Sequence, residues 1–158
     1  MHDVNHAIAN LRSLSGISTL DFDANGNLAL VFNDEIDVNF ARIDEKTIEL
    51  WTEIEDIGRA DDPKIVRRLM EANHLGEGTG CARIALAPDT DTFVLCERIQ
   101  VEPLNGDQFS DRIIEFLKYA TFWNSAEVGR AAMASRAGAP RPGCHADVLL
   151  EMPTAHRQ

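Results

Sequence analysis

Four groups of residues have types and spacings that could do chemistry. Asp21, Asp23, Asn25 and Gly26 copy the opening of an EF-hand loop, in which alternate oxygens bind calcium and a glycine holds the sixth position. The twelfth position of such a loop requires a bidentate acid. Here it is Phe32 within an apolar run, so the main calcium anchor is missing and Asn25-Gly26 reads instead as a hairpin turn. Gly76, Gly78 and Gly80 form a GxGxG between a helix and a strand. Phosphate-cradling loops run from strand to helix and use the helix N-terminus for the anion, so nucleotide binding is not expected. His2 and His6 stand one helical turn apart around Asp3, without a convincing third ligand. Cys144-His145 places a thiol beside a base, but neighbours in a Gly/Pro-broken stretch lack the fixed geometry and orienting third group that activate a nucleophile. No catalytic, cofactor-binding or metal residue is expected.

Composition narrows the classes that remain. At 158 residues and 44% hydrophobic, the chain can bury one core, and a single domain is the expectation. A net charge of −11 disfavours nucleic acid and anionic membrane surfaces and favours basic or apolar partners. The start, MHDVNHAIANLRSL, lacks a basic stretch followed by a long apolar run, so a cytoplasmic location without membrane insertion is expected. Cys81, Cys96 and Cys144 match no disulfide or zinc spacing, which suits a reducing compartment, and Cys81 and Cys96 are expected as buried small hydrophobes.

The elements that position these groups can be read from periodicity. Val4, Ala7, Ile8, Leu11 and Leu14 recur at helical spacing up to Ser15-Gly16. TLDF and NLALVF flank Asn25-Gly26 as a proposed hairpin. Ile36, Val38 and Phe40 alternate with polar positions, and the pattern resumes at Ile48, Leu50, Thr52 and Ile54. The opposite face of that second run carries Glu49, Trp51, Glu53 and Glu55, acidic apart from one large aromatic. Asp62-Pro63 opens a helix, since Asp caps free N–H groups and Pro sits where its missing N–H is harmless.

This second helix runs to about His74, and its apolar residues Ile65, Val66, Leu69, Met70 and Ala72 spread over roughly 160° of the wheel. One core needs a stripe of only about 100°, so a second apolar contact is implied. Arg83 to Ala87 and Thr92 to Val101 form a strand pair, with Phe93, Leu95, Ile99 and Val101 on one face. A long helix follows from about Asp107 to about Gly129, and its apolar residues cover roughly 220°. From Ala131 the sequence ASRAGAPRPGCHAD lacks large apolar residues, so residues 131–158 are expected as a flexible tail behind a domain of residues 1–130.

The order is helix, three strands, helix, two strands, helix. The stretch LMEANHLGEGTGCARIALAPDTDTFVLCERI, from Leu69 to Ile99, resembles the centre of the class I type III secretion chaperones, the Tir-chaperone family. In that family a helix ending in a Leu-x-x-Ala-Asn phrase gives way to a glycine-rich loop and a hairpin. The resemblance covers about residues 3 to 127. It implies an α+β fold with a twisted antiparallel sheet and flanking helices, assembled as a homodimer. It also implies a non-enzymatic virulence-associated bacterial protein of the cytoplasm that binds the N-terminal chaperone-binding segment of a secreted effector. Neither ATP nor a metal is implied.

Matched element by element, the resemblance places Val66, Met70, Ile84 and Leu86 nearest the dimer seam. Effector contacts are expected from outward residues of the first sheet region: Trp51 first, then Leu28, Leu30, Phe32 and Phe40. Two other classes fit the same residues, a YbjN-like domain binding cytosolic proteins outside secretion and a carrier of a small apolar ligand.

Overall fold

The computed structural model describes residues 3–55, 57 and 60–125. Residues 126–158, which include the tail, Cys144-His145 and the end of the expected last helix, lie outside the described residues, as does His2.

Three helices and five strands follow in the order α1 (Val4–Ser15), β1 (Asn27–Phe32), β2 (Ile36–Arg42), β3 (Thr47–Glu53), α2 (Pro63–Asn73), β4 (Arg83–Ala87), β5 (Thr92–Gln100) and α3 (Gly106–Trp123). The strands make one antiparallel sheet in the order β1-β2-β3-β5-β4, with β1 and β4 as its rims. No described helix is long and apolar enough to cross a membrane.

Each helix begins on a side-chain cap that satisfies otherwise orphaned N–H groups. Asp3 accepts from the His6 N–H, Asp62 accepts from the Lys64 N–H ahead of Pro63, and Asn105 with Gln108 forms a reciprocal capping box. Asp3 also pairs with His6 Nδ1 at 2.8 Å, so both groups are engaged locally. These bonds hold the Asp3 carboxyl below its ordinary range.

The turn at Asn25-Gly26 does not join two ladder strands. β1 pairs with β2, and TLDF forms no strand. Asp23 explains the difference, because its Oδ1 accepts from the Asn25 and Asn27 N–H groups at 2.8 Å each and closes a local turn. The tight turn with positive φ lies instead at Asn33 and Asp34, between β1 and β2.

The core face of the sheet carries Leu30, Val38, Phe40, Ile48, Leu50, Leu95 and Ile99, packed with Val4, Ile8 and Leu11 of α1 and Phe109, Ile113 and Phe116 of α3. Burying each such side chain stabilises by about 1.5–3 kcal/mol.

The glycine loop is a structural connector between α2 and β4. A Cβ on Gly78 would lie 2.8 Å from the Cβ of Ala72, and one on Gly80, at φ +61, would lie 2.5 Å from the Tyr119 ring. Gly80→Ala is therefore expected to destabilise by about 2–4 kcal/mol, from left-handed strain plus overpacking. Urea denaturation of the two proteins measures this directly.

Candidate protein-binding surfaces

Register decides what each face of the sheet presents. Trp51 pairs with Asn39 on one side and Cys96 on the other, and Cys96 pairs with Arg83, so these four residues form one row across the sheet. Glu49, paired with Ala41 and Arg98, forms the row on one side of it, and Glu53, paired with Val94, the row on the other. Period-two alternation puts all of these opposite the core face. On this outer face Ala29, Asp37, Glu53, Arg83 and Arg98 are exposed and Trp51 is half-buried, while Val31, on rim strand β1, is 59% exposed.

Two arginines are fixed beside Trp51. Glu49 accepts from Arg83 Nη2 and from Arg98 Nε, each at 2.5 Å. One carboxylate thus holds two guanidinium groups in place, leaving a local excess of positive charge on an acidic protein. Below the sheet a second pair does structural work. Glu97 points into the core face opposite Leu50, and Arg112 of α3 reaches it with Nε at 2.8 Å and with Nη2. Burial pushes the Glu97 carboxyl above its ordinary range, against the pull of Arg112.

A second surface lies where α2 meets β4. Ile65 and Leu69 face the core, while Val66 and Met70, one turn apart, face outward, with Met70 64% exposed. Leu86 on β4 is also exposed. The Asn of the Leu-x-x-Ala-Asn phrase, Asn73, accepts from the Ile84 N–H at 2.8 Å and donates to the Ile84 carbonyl at 3.0 Å. This side chain imitates a sixth strand at one position and ties α2 to the rim. Leu75, at φ +54 just beyond α2, is 82% exposed and extends the apolar surface.

The expected site residues divide unevenly between these surfaces. Trp51 lies on the outer face, but Leu28, Leu30, Phe32 and Phe40 all share the opposite, core face. Phe40 and Leu30 are buried there, and Leu28 and Phe32 pack half-buried against the core. Their alternation is the core's own, so they leave the list of docking residues. Of the residues expected at a seam, Val66, Met70 and Leu86 are accessible, while Ile84, whose backbone is bonded by Asn73, is buried. Cys81 is exposed rather than buried; Cys96 is buried, and its thiol donates to the Arg83 carbonyl. The expectation overlooked Val31, Ala29, Arg83 and Arg98, which share the outer face with Trp51. The signal was available in their register parity once strand partners were known.

Comparison with known proteins follows the same lines. The sequence model of the Tir chaperone protein (CesT) family matches residues 6–124. No curated protein matches the chain significantly. Among solved structures, a chain of the ExsC-ExsE complex has 21% identity and a TM-score of 0.61, covering 77% of this chain and 90% of that one. A chain of the HopA1-SchA chaperone-effector complex has 13% identity and a TM-score of 0.63, covering 78% and 94%. The Yersinia pestis type III secretion chaperone SycH, solved with a stable fragment of YscM2, gives 17% identity and a TM-score of 0.58, covering 75% and 97%. At these identities the structural likeness establishes a shared fold.

Proposed function

Because the chain belongs to the Tir chaperone protein (CesT) family, we propose that it binds the N-terminal chaperone-binding segment of a secreted effector and keeps that segment extended for export. The observation that carries this reading is the family match over residues 6–124, which spans nearly every described element. The outer sheet face gives the proposal a physical form. Trp51 supplies a large apolar anchor of the kind that dominates interfaces, and the rim strand β1, with Ala29 and Val31, offers backbone to an added strand. The activity requires neither ATP nor a metal, since holding an extended segment is a matter of covering its apolar side chains.

A chaperone of this kind exposes apolar surface and risks self-association. Residues 126–158 hold four Arg against three acids, so the rest of the chain carries −12. That charge keeps copies apart away from a specific seam. We place the seam at Val66, Met70 and Leu86, joining two copies about a two-fold axis. Cytoplasmic residence and the division into a chaperone domain of residues 1–130 with a tail behind it belong to the same proposal.

Among the described residues, the concavity lined by Asp44, Glu45, Lys46, Thr47, Gln100 and Glu102 is charged and crossed by a Lys46–Glu102 ion pair at 2.6 Å, so this one does not suit a small apolar ligand. Apolar carriers enclose their ligands in mostly apolar walls.

The experiment is co-expression with a candidate effector encoded in the same bacterium, followed by titration calorimetry with that effector's N-terminal segment. Trp51→Ala is expected to weaken binding at least tenfold, or about 1.4–2 kcal/mol, with the free variant still folded by circular dichroism. Equal affinity for both proteins would remove Trp51 from the binding surface.

A further inference from the structure

We propose that the extended segment accepted by the β1 rim carries an arginine or lysine opposite Val31, with its cation set over Asp37 and Glu53 on the outer sheet face. This deepens the proposed function and rests on it, because it names the chemistry of the segment that the rim takes.

Backbone bonds set the open length of the rim. At the start of β1 the edge is already closed: the Asp23 N–H donates to the Asn27 carbonyl, and Asp23 Oδ1 accepts from the Asn27 N–H, both at 2.8 Å. Backbone groups two residues apart point to the same side of a strand, so Ala29 and Val31 carry the next outward N–H and carbonyl groups. The alternate residues turn theirs toward β2, in the ladder that begins where the Arg42 N–H donates to the Gly26 carbonyl. The edge ends at the Asn33-Asp34 turn. Ala29 and Val31 are therefore the pairing positions, and the segment's residue opposite Val31 shares its face.

The surroundings of Val31 specify that residue. Val31 is 59% exposed and stands opposite Asp37. The β2–β3 register, in which Asn39 faces Trp51, brings Asp37 opposite Glu53, and both residues are exposed. Neither carboxylate has an ion-pair partner among the described residues. Like charges directly across a sheet repel, so a cation placed there removes a cost that the free protein carries. The two arginines of this face do not supply it, because both are held by Glu49, on the other side of the Trp51 row. This end of the face stays acidic.

Reach selects the residue type. The added backbone lies two strand spacings, about 10 Å, from β2. Arginine and lysine cover such a distance with apolar stems, which here lie across Val31 while the charged head stays in water beside Asp37. An acid at this position meets two like charges, and a large apolar side chain strips water from them. The segment's inward side chains, alternating with this one, continue the core face and are apolar. Its pattern along β1 is thus apolar, basic, apolar.

The test titrates the full chain, labelled for NMR, with two synthetic peptides: Thr-Val-Arg-Val-Thr-Val-Thr and the same peptide with Glu in place of Arg. Wild type is compared with Asp37→Lys/Glu53→Lys and with Asp89→Lys/Asp111→Lys, which makes the same change of net charge at the β4–β5 turn and on α3. In wild type the Arg peptide is expected to shift the Ala29 and Val31 amides and to bind about tenfold tighter than the Glu peptide. The preference should reverse in Asp37→Lys/Glu53→Lys and persist in Asp89→Lys/Asp111→Lys. Shifts centred away from β1, or a preference that changes equally in both variants, would overturn the proposal. Peptides that bind without charge preference, or do not bind, would overturn it too. Effector capture by co-expression is read separately, so success there with failure here leaves the chaperone reading standing and removes only this one.

Discussion

Arg112→Ala is expected to destabilise the protein by about 3 kcal/mol near pH 8. Glu97 is 2% exposed on the core face of β5, and Arg112 supplies its charged partner through Nε and Nη2. Removing the guanidinium leaves a carboxylate buried among Leu50, Ile99 and the helices, where an unpaired charge is far more costly than a lost surface ion pair. Glu115 adds like charge close by.

The sign of the pH dependence follows from the direction of the shift. Burial already raises the Glu97 carboxyl above the ordinary 4.5, so the native state holds that proton more tightly than the unfolded chain. Stability from this group is present below the ordinary value and declines as pH rises through the raised one. Deleting Arg112 widens that window upward. The gap between variant and wild type, measured by urea denaturation, should therefore be small near pH 5 and large near pH 8. Glu97→Gln in the Arg112→Ala background should recover part of the loss at pH 8. A gap that does not change with pH would mean the pair contributes packing rather than charge.

Met70→Glu is expected to convert the protein from dimer to monomer at micromolar concentration while leaving its folding intact. The side chain is 64% exposed, so a charge there meets water in one copy. At a two-fold seam it would meet the apolar surface of Val66 and Leu86 and its own symmetry mate, adding repulsion between bodies that are each strongly acidic. A dissociation constant raised at least 100-fold, about 2.7 kcal/mol, is the expected scale. Light scattering should give twice the 17.5 kDa chain mass for wild type and the single chain mass for the variant. A wild type that is monomeric, or a variant that remains a dimer, would move the seam away from α2.

Much of the architecture can be read along the chain because local signals agree with the tertiary outcome. Asp62-Pro63 opens α2 where a cap and a first-turn proline should, and the over-wide apolar arc of that helix resolves into Ile65 and Leu69 inward and Val66 and Met70 outward. The alternation of β3 correctly separates Ile48, Leu50 and Thr52 from Glu49, Trp51 and Glu53. What periodicity lacks is sidedness. Leu28, Leu30, Phe32 and Phe40 have the period of a sheet face, but only strand pairing reveals that this face is the one α1 and α3 cover.

Local competition explains another departure. Asn25-Gly26 has the composition of a hairpin turn, yet Asp23 captures its N–H groups, and the β1–β2 turn falls on Asn33-Asp34 instead. Ile84 and Leu86 differ by two positions on one strand, yet Ile84, whose backbone is bonded by Asn73 of α2, is buried and Leu86 is exposed. Burial there depends on what other elements bring to the strand, so no single-strand pattern records it. The two arginines on Glu49 escaped notice for the same reason, because Arg83 and Arg98 meet it only through the β4-β5-β3 register.

On the proposed function, the outer face and rim of this sheet hold an effector's N-terminal segment in extended form without ATP. The most direct measurement is hydrogen–deuterium exchange by mass spectrometry on the complex purified after co-expression in the native bacterium without added nucleotide. One stoichiometric secreted partner is expected, protected only over an N-terminal stretch, with reciprocal protection at β1 and around Trp51. Protection of a folded partner domain at another surface, or an unchanged exchange pattern at β1 and β3 in the complex, would contradict it.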